Sequence, residues 1–430
     1  YNSLGQLSYI FPPEYHRTRD MAFAYRYEYD RRGNLASKTL PGAERVLYWH
    51  DKEGMLSFEQ DAQLRASGLY RFYVYDIYNR LVVVGTCDAF DSDVYRPFDR
   101  AETNVLSDSK GVLGTGYLSL YWDGFVRSHG GELEKANYYD TYVFGGGECG
   151  DSLRTIAPER AQNANGQLTA SVVRASNGQL LFSTFCYDGS GNVTNVRRKG
   201  LDGYSSNVST AYSLTGKPVS STAETDVMYG ERFTATEANA YSPRNGMLSS
   251  RTLTVSHSGS LMTAPVTVGY GYDALNRLAR TVRPGKAGAV SRGYDVHGWP
   301  TGIKSDSFSE RLHYADGPGH QNYNGNVAAV VWTAGGSATS RGYTFWYDDQ
   351  NRLVSSRYGE GEGMSENAGR YDETVEYDLN GNVTALERHG MIDDGSYCVT
   401  DRLRVTLNGN QPVSVTDDAE IYVAAGSVGF

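Results

Sequence analysis

A seven-residue phrase recurs along this chain, and it limits the folds open to it. The phrase reads Tyr, Asp, two free positions, Gly or Asn, one free position, then Leu or Val. Clear copies are Tyr29-Asp30 with Gly33 and Leu35, Tyr75-Asp76 with Asn79 and Leu81, and Tyr187-Asp188 with Gly191 and Val193. Three more are Tyr272-Asp273 with Asn276 and Leu278, Tyr347-Asp348 with Asn351 and Leu353, and Tyr377-Asp378 with Gly381 and Val383. Worn copies begin at Tyr1, His50, Tyr212 and Tyr294. Self-similarity at short spacing signals a repeat architecture.

Each position has a local physical role. Asp hydrogen-bonds the backbone two residues on and so opens a turn. Gly or Asn tolerates positive φ where a β-branched residue would be strained. Residues before the Tyr alternate as in a half-buried strand, with Tyr27, Tyr48, Tyr73, Phe185, Tyr270, Phe345 or Val375 two places earlier. Two shortened turns, Tyr323-Asn324-Gly325-Asn326-Val327 and Leu407-Asn408-Gly409-Asn410, carry the Asn-Gly hairpin signal. The expected fold is all-β, a long antiparallel sheet of tandem hairpins. At about 25 residues per hairpin, the chain supplies roughly 34 strands. At about 4.8 Å per strand this makes a ribbon on the order of 160 Å, which must coil.

Composition fits a partly covered sheet. Tyr is abundant at 34 residues against 14 Phe, and a phenol has an apolar body with a polar tip. Helical periodicity is nearly absent; 158–162 and 361–366 read as loops. The net charge of −10 is spread along the chain without a basic stripe, which argues against nucleic acid as a partner. No apolar run approaches the length of a membrane-spanning helix. Cys87, Cys149, Cys186 and Cys398 lack metal-ligand spacing. An oxidising compartment would permit disulfides, but free and mostly buried thiols are expected.

The phrase and its neighbours resemble the Rhs/YD-repeat family of large bacterial surface and toxin-delivery proteins. Tyr9-Ile-Phe-Pro-Pro, Leu40-Pro-Gly-Ala-Glu, Asn137-Tyr-Tyr-Asp-Thr-Tyr, Asn165-Gly-Gln-Leu-Thr-Ala, Tyr323-Asn-Gly-Asn-Val and Asn408-Gly-Asn-Gln also match bacterial members. Matches flank the copy-poor stretch 82–186, which is therefore read as degenerate repeat. The whole span 1–430 is then one continuous repeat region, a fragment of a longer protein. The resemblance implies a sheet wound into a spiral, cocoon-like shell wall around a C-terminal cargo, often a toxin. It implies the remaining shell and that cargo as partners, and an extracellular or bacterial cell-surface location. The family's self-cleaving core, rich in Asp-Pro turns, has no counterpart here. No functional residue is carried over; only turn residues match.

Candidate chemistry is weaker than its turn explanation at each place. His313 and His320 lack zincin spacing and read as loop residues. Gly145-Gly146-Gly147-Glu148-Cys149-Gly150 lacks the Lys-Ser/Thr of a phosphate loop and reads as a hairpin loop. Ala425-Gly426-Ser427-Val428-Gly429 only loosely imitates a nucleophile elbow. Asp378-Leu-Asn380-Gly381-Asn382 begins like a calcium loop, but His389 stands where the bidentate acid is required. Asn192, Asn207 and Asn382 fit the glycosylation pattern, two of them as by-products of the repeat. Asp91 with Asp93, and Asp393 with Asp394, read as solvated loop acids rather than a glycosidase pair. No catalytic residue, metal site or cofactor is expected. The leading expectation is a structural section of shell. The alternatives are a surface adhesin or glycan-binding array, with surface glycans as partners, and then a carbohydrate-processing enzyme.

Overall fold

The computed structural model describes residues 1–88, 130–144, 148–158, 163–200, 204–226, 230–285 and 288–419. The chain is all-β: 28 strands among the described residues form an antiparallel sheet of tandem hairpins. By their contacts the residues fall into two compact units. One comprises Tyr1–Arg26, Thr39–Ala43 and Gly269–Phe430, and the other Tyr27–Lys38 and Glu44–Val268.

The hairpins that carry the phrase from Tyr75 onward are built alike. The phrase Tyr pairs with the closing Leu or Val, as Tyr75 with Leu81, Tyr187 with Val193 and Tyr377 with Val383. The register shifts immediately before that Tyr, so a bulge marks each turn. Such bulges raise local twist and pin register. The fifth position lies in the left-handed region: Gly33 at φ 90°, Gly191 at 82°, Gly381 at 92°, and Asn79, Asn276 and Asn351 at 60°, 62° and 63°. Asn is the non-glycine residue that visits this region most easily.

The second unit, Tyr27–Lys38 with Glu44–Val268, holds a true hydrophobic core. Phe72 and Val74 of strand Tyr70–Tyr75, Val82 and Val83 of strand Leu81–Cys87, and Leu133 and Tyr138 of strand Glu132–Tyr139 are all buried. Helix Glu148–Ile156 lays Cys149 and Leu153 into this cluster. Fully burying a side chain of this size contributes about 1.5–3 kcal/mol. Residues 148–150 thus begin a helix rather than finish a hairpin loop. One turn of amphipathic pattern inside a glycine-rich stretch carries too little periodicity to reveal it. Residues 145–147 lie outside the described residues, as do 89–129 (with Asp91 and Asp93), 159–162 and 420–430. Within 82–186 the described strands pair in chain order, Leu81–Cys87 with Glu132–Tyr139, that strand with Leu168–Arg174, and Leu168–Arg174 with Leu180–Tyr187.

The first unit is thinner. Strand Glu373–Tyr377 alternates half-buried and exposed residues along its length. A long-range contact within it joins helix Pro13–Thr18 to the turn at Asp378. The Glu14 backbone N–H donates to Asn380 Oδ1 (2.9 Å), and its carboxylate accepts from the Leu379 N–H (3.2 Å).

Gly381→Val should melt lower than the parent by the equivalent of about 1–2 kcal/mol, because a β-branched residue at that φ is strained. Thermal denaturation followed by circular dichroism measures this, and an unchanged melt would remove the positive-φ account of the turn.

Candidate functional site: the stitched turn edge

The phrase Asp is the hub of the turn in each clear copy. Asp30 Oδ1 accepts from the N–H groups of Arg32 (2.8 Å) and Asn34 (2.9 Å). The same pair of bonds recurs at Asp76, Asp188, Asp273, Asp348 and Asp378. It recurs at the worn copies through Asp51 and Asp295, and through Asn2 in the first copy. The Asp N–H in turn donates to the carbonyl of the sixth position, as Asp188 to Asn192 (3.0 Å).

The second carboxylate oxygen is satisfied in two ways. In the clear copies the residue after Gly is Asn, and its amide donates to the Asp, as Asn34 to Asp30, Asn192 to Asp188 and Asn382 to Asp378. After Asn the sixth residue is Arg, and its Nε donates instead. Arg80, Arg277 and Arg352 reach Asp76, Asp273 and Asp348 at 2.7, 2.7 and 2.6 Å.

These hydrogen bonds shift the carboxyls. The Asp188 carboxyl lies below its ordinary value, chiefly through the Asn192 amide and then the Asn192 backbone N–H. Asp273 is lowered chiefly by the Arg277 backbone N–H.

The sixth residue also reaches the next turn. Arg277 Nη1 donates to the Asp295 carbonyl (3.0 Å), and its guanidinium lies 4.7 Å from the Tyr294 ring centre. Arg352 repeats both contacts on Asp378 (2.7 Å) and Tyr377 (4.8 Å). Lys217 does so on Gly246 and Tyr241. Arg80 reaches the Asp140 carboxylate and the Tyr139 ring. Trp299 occupies the same position and lies flat against Gly325, where a Cβ would come within 3.1 Å of the indole. Asn326 and Asn382 reach Asn351 and Asn410.

A second set of stitches runs in the opposite direction. The Tyr hydroxyl donates to the carbonyl at the close of the preceding turn. Tyr187 reaches Leu168, Tyr212 reaches Val193 and Tyr241 reaches Pro218. Tyr294 reaches Leu278, Tyr314 reaches Pro300, Tyr347 reaches Val327 and Tyr377 reaches Leu353. Tyr139 makes the same bond to Leu81. All are 2.8–3.2 Å. Sequence reasoning placed the phrase Tyr at a strand end but missed this bond and the role of the sixth residue. The signal was present in the recurrence of Arg, Asn or Lys before the closing Leu, Val or Pro. The Tyr139, Tyr241 and Tyr314 turns escaped because each breaks the phrase.

The other candidates fall at separate places in the fold. His313 ends strand Phe308–His313, buried beneath Gly317 with Nδ1 3.3 Å from Asp316 Oδ2, while His320 is exposed. Asp394 accepts from the Ser396 N–H in a turn. Residues 361–366 form a turn against strand Leu353–Glu360, where Met364 takes φ 60°. Cys87 and Cys149 are buried and Cys186 and Cys398 half-buried, all four outside any disulfide. Among the described residues no group of His, Cys, Asp or Glu could hold a metal ion, and no helix is long and apolar enough to cross a membrane.

No protein-family model matches the sequence, and no curated protein matches it. Among solved structures it is similar to a Photorhabdus luminescens Tc holotoxin pore carrying a TccC3 mutation, with 10% identity and a TM-score of 0.27 over 97% of this chain and 23% of that one. A TcdB2–TccC3 structure gives 11% and 0.28, over 91% of this chain and 22% of that one. A porin-like protein from Bacteroides uniformis gives 10% and 0.24, over 62% and 90%. The chain thus spans less than a quarter of the Tc toxin chains it matches. Likeness at this level assigns no function.

Tyr377→Phe should cost about 0.5–1.5 kcal/mol, the net worth of one hydrogen bond. Arg352→Ala should cost a similar amount, and the double variant should depart from additivity because both side chains meet at one turn. A double-mutant cycle in urea measures this, and strict additivity would show the stitches to be independent.

Stability should also fall with acid. Asp188 and Asp273 have folded values below their unfolded ones, so their contribution is complete above the ordinary Asp value of about 3.9 and is lost as pH falls through the folded values. Melting temperatures from pH 6 to pH 3 test this, and a flat profile would contradict the hub role of the carboxylates.

Proposed function

We propose that the chain is a section of the wall of an Rhs/YD-repeat shell, one that encloses or presents a C-terminal polypeptide cargo. Its chemistry is then steric: it carries no catalysis and isolates or displays what other parts of the parent chain contribute. The stitched turn edge is the observation that supports this reading. Side chains tie many of the turns to a neighbour, some in both directions as at Tyr377 and Arg352, so the edge resists opening one hairpin at a time. Eight tyrosine hydroxyls are engaged in these stitches, which favours a wall over a platform that offers its phenols to sugars. An exported or surface-displayed parent protein is the setting such a wall suits.

Expression of the parent gene across this region and its downstream sequence tests the reading by limited proteolysis. The downstream polypeptide should survive protease in the intact protein and be cleaved in the Arg352→Ala, Tyr377→Phe double variant. Equal cleavage in both would remove the enclosing role. Tight binding of this fragment alone to a glycan array would favour the adhesin instead.

A further inference from the structure

The copy of the phrase at Asp51 opens with His50 in place of Tyr, and a cavity stands beside it. Where Tyr187, Tyr212, Tyr294, Tyr347 and Tyr377 place a hydroxyl against the carbonyl closing the preceding turn, the copy at Asp51 has the His50 imidazole. An imidazole ends well short of a phenol oxygen, and the His50 ring makes no hydrogen bond among the described residues. Burial holds its pKa below the ordinary value, opposed by Asp30 and Asp51.

A cavity of about 470 Å³ lies beside it, lined by His50, Tyr48, Arg31, Arg32 and Arg45. Strands Leu35–Thr39 and Val46–His50 pair only at Ser37 with Leu47 and Lys38 with Val46, so their ladder stops short of His50. At the turn edge the gap is bridged by Arg32 Nη1, which donates to the Asp51 carbonyl (3.3 Å), and by Asn34 against Gly54. The result is a framed window between two neighbouring strands. Its volume lies within the range of small-molecule sites, about 300–1,000 Å³.

The charge at this window runs against that of the chain. Three guanidinium groups line it in a protein of net charge −10. Asp30 is the one acid of the lining, and its carboxylate is held by the Arg32 and Asn34 N–H groups and the Asn34 amide. Arg45 meets Glu28 outside the lining, and Arg31 has no partner among the described residues. Guanidinium forks match phosphate geometry, and a tetrahedral phosphate offers enough oxygens for several of them at once, where a carboxylate offers two.

We infer that the window at His50 binds a small phosphate-bearing molecule, gripped by Arg31, Arg32 and Arg45 with the His50 ring as a further hydrogen-bonding group. The site exists because His replaces the repeated Tyr. A phenol at position 50 would reach towards the Leu35 carbonyl and refill the space.

Isothermal titration with inorganic pyrophosphate, at fixed ionic strength and with citrate as the carboxylate control, tests the inference. The parent should bind pyrophosphate and prefer it to citrate. His50→Tyr should lower affinity by about tenfold or more while raising the melting temperature, since it restores the repeat's own hydrogen bond. Arg31→Gln should lower affinity by about tenfold with the melting temperature unchanged. No binding by the parent, citrate bound as tightly as pyrophosphate, or unchanged affinity in both variants would overturn it.

Discussion

The structure depends on a carboxylate that accepts two backbone N–H groups across a five-residue turn. Asp, or Asn in the first copy, makes this arrangement at every full-length phrase except the one at Tyr212. There Ser213 accepts from the Lys217 N–H alone (3.2 Å). Once both bonds form, the fifth residue must take positive φ, and the sixth must point its side chain along the turn edge. The opening Tyr is then held at a bulge. Each consequence follows sterically from the one before it. A net hydrogen bond contributes only about 0.5–1.5 kcal/mol. Repetition along one edge makes the sum matter, as in other arrays whose units contact mainly their neighbours.

Stabilisation is not uniform over the two units. In the unit Tyr27–Lys38 with Glu44–Val268, Phe72, Leu133, Tyr138 and the helix carrying Leu153 form an apolar layer over the sheet. The other unit has fewer buried apolar side chains and relies more on polar contacts, including Glu14 on the turn at Asp378. A sheet one layer thick can be held by its edges where it cannot be held by a core. Tyr suits this role, since its ring covers the sheet and its hydroxyl reaches the next strand's backbone.

Repeats make exceptions informative. When most turns place Tyr first, a His in that position is a local inconsistency, and such inconsistencies concentrate at functional or strained places. Asp51 keeps its turn intact, so the exchange at His50 alters only the stitch and the space beside it. The three arginines around that space have no comparable reason to gather from the repeat itself.

The sequence by itself determined the turn chemistry and the fold class. Asp, Gly and Asn at fixed offsets specify local backbone geometry, and local geometry needs no distant partner. Part of the candidate site was legible for the same reason, namely every Asp hub and every positive-φ position of the clear copies. The stitches were not, because the bond from Tyr377 to Leu353 or from Arg352 to Asp378 depends on how far one turn lies from the next. The helix Glu148–Ile156 was hidden because tertiary burial of Cys149 and Leu153, not periodicity, holds it. The docking of Glu14 on Leu379 and Asn380 has no sequence signal at all, since residues some 365 apart meet only through the path of the folded chain. Tertiary structure alone decided which side chains join neighbouring turns and where a missing phenol leaves a window, because both are distances between segments rather than properties of either.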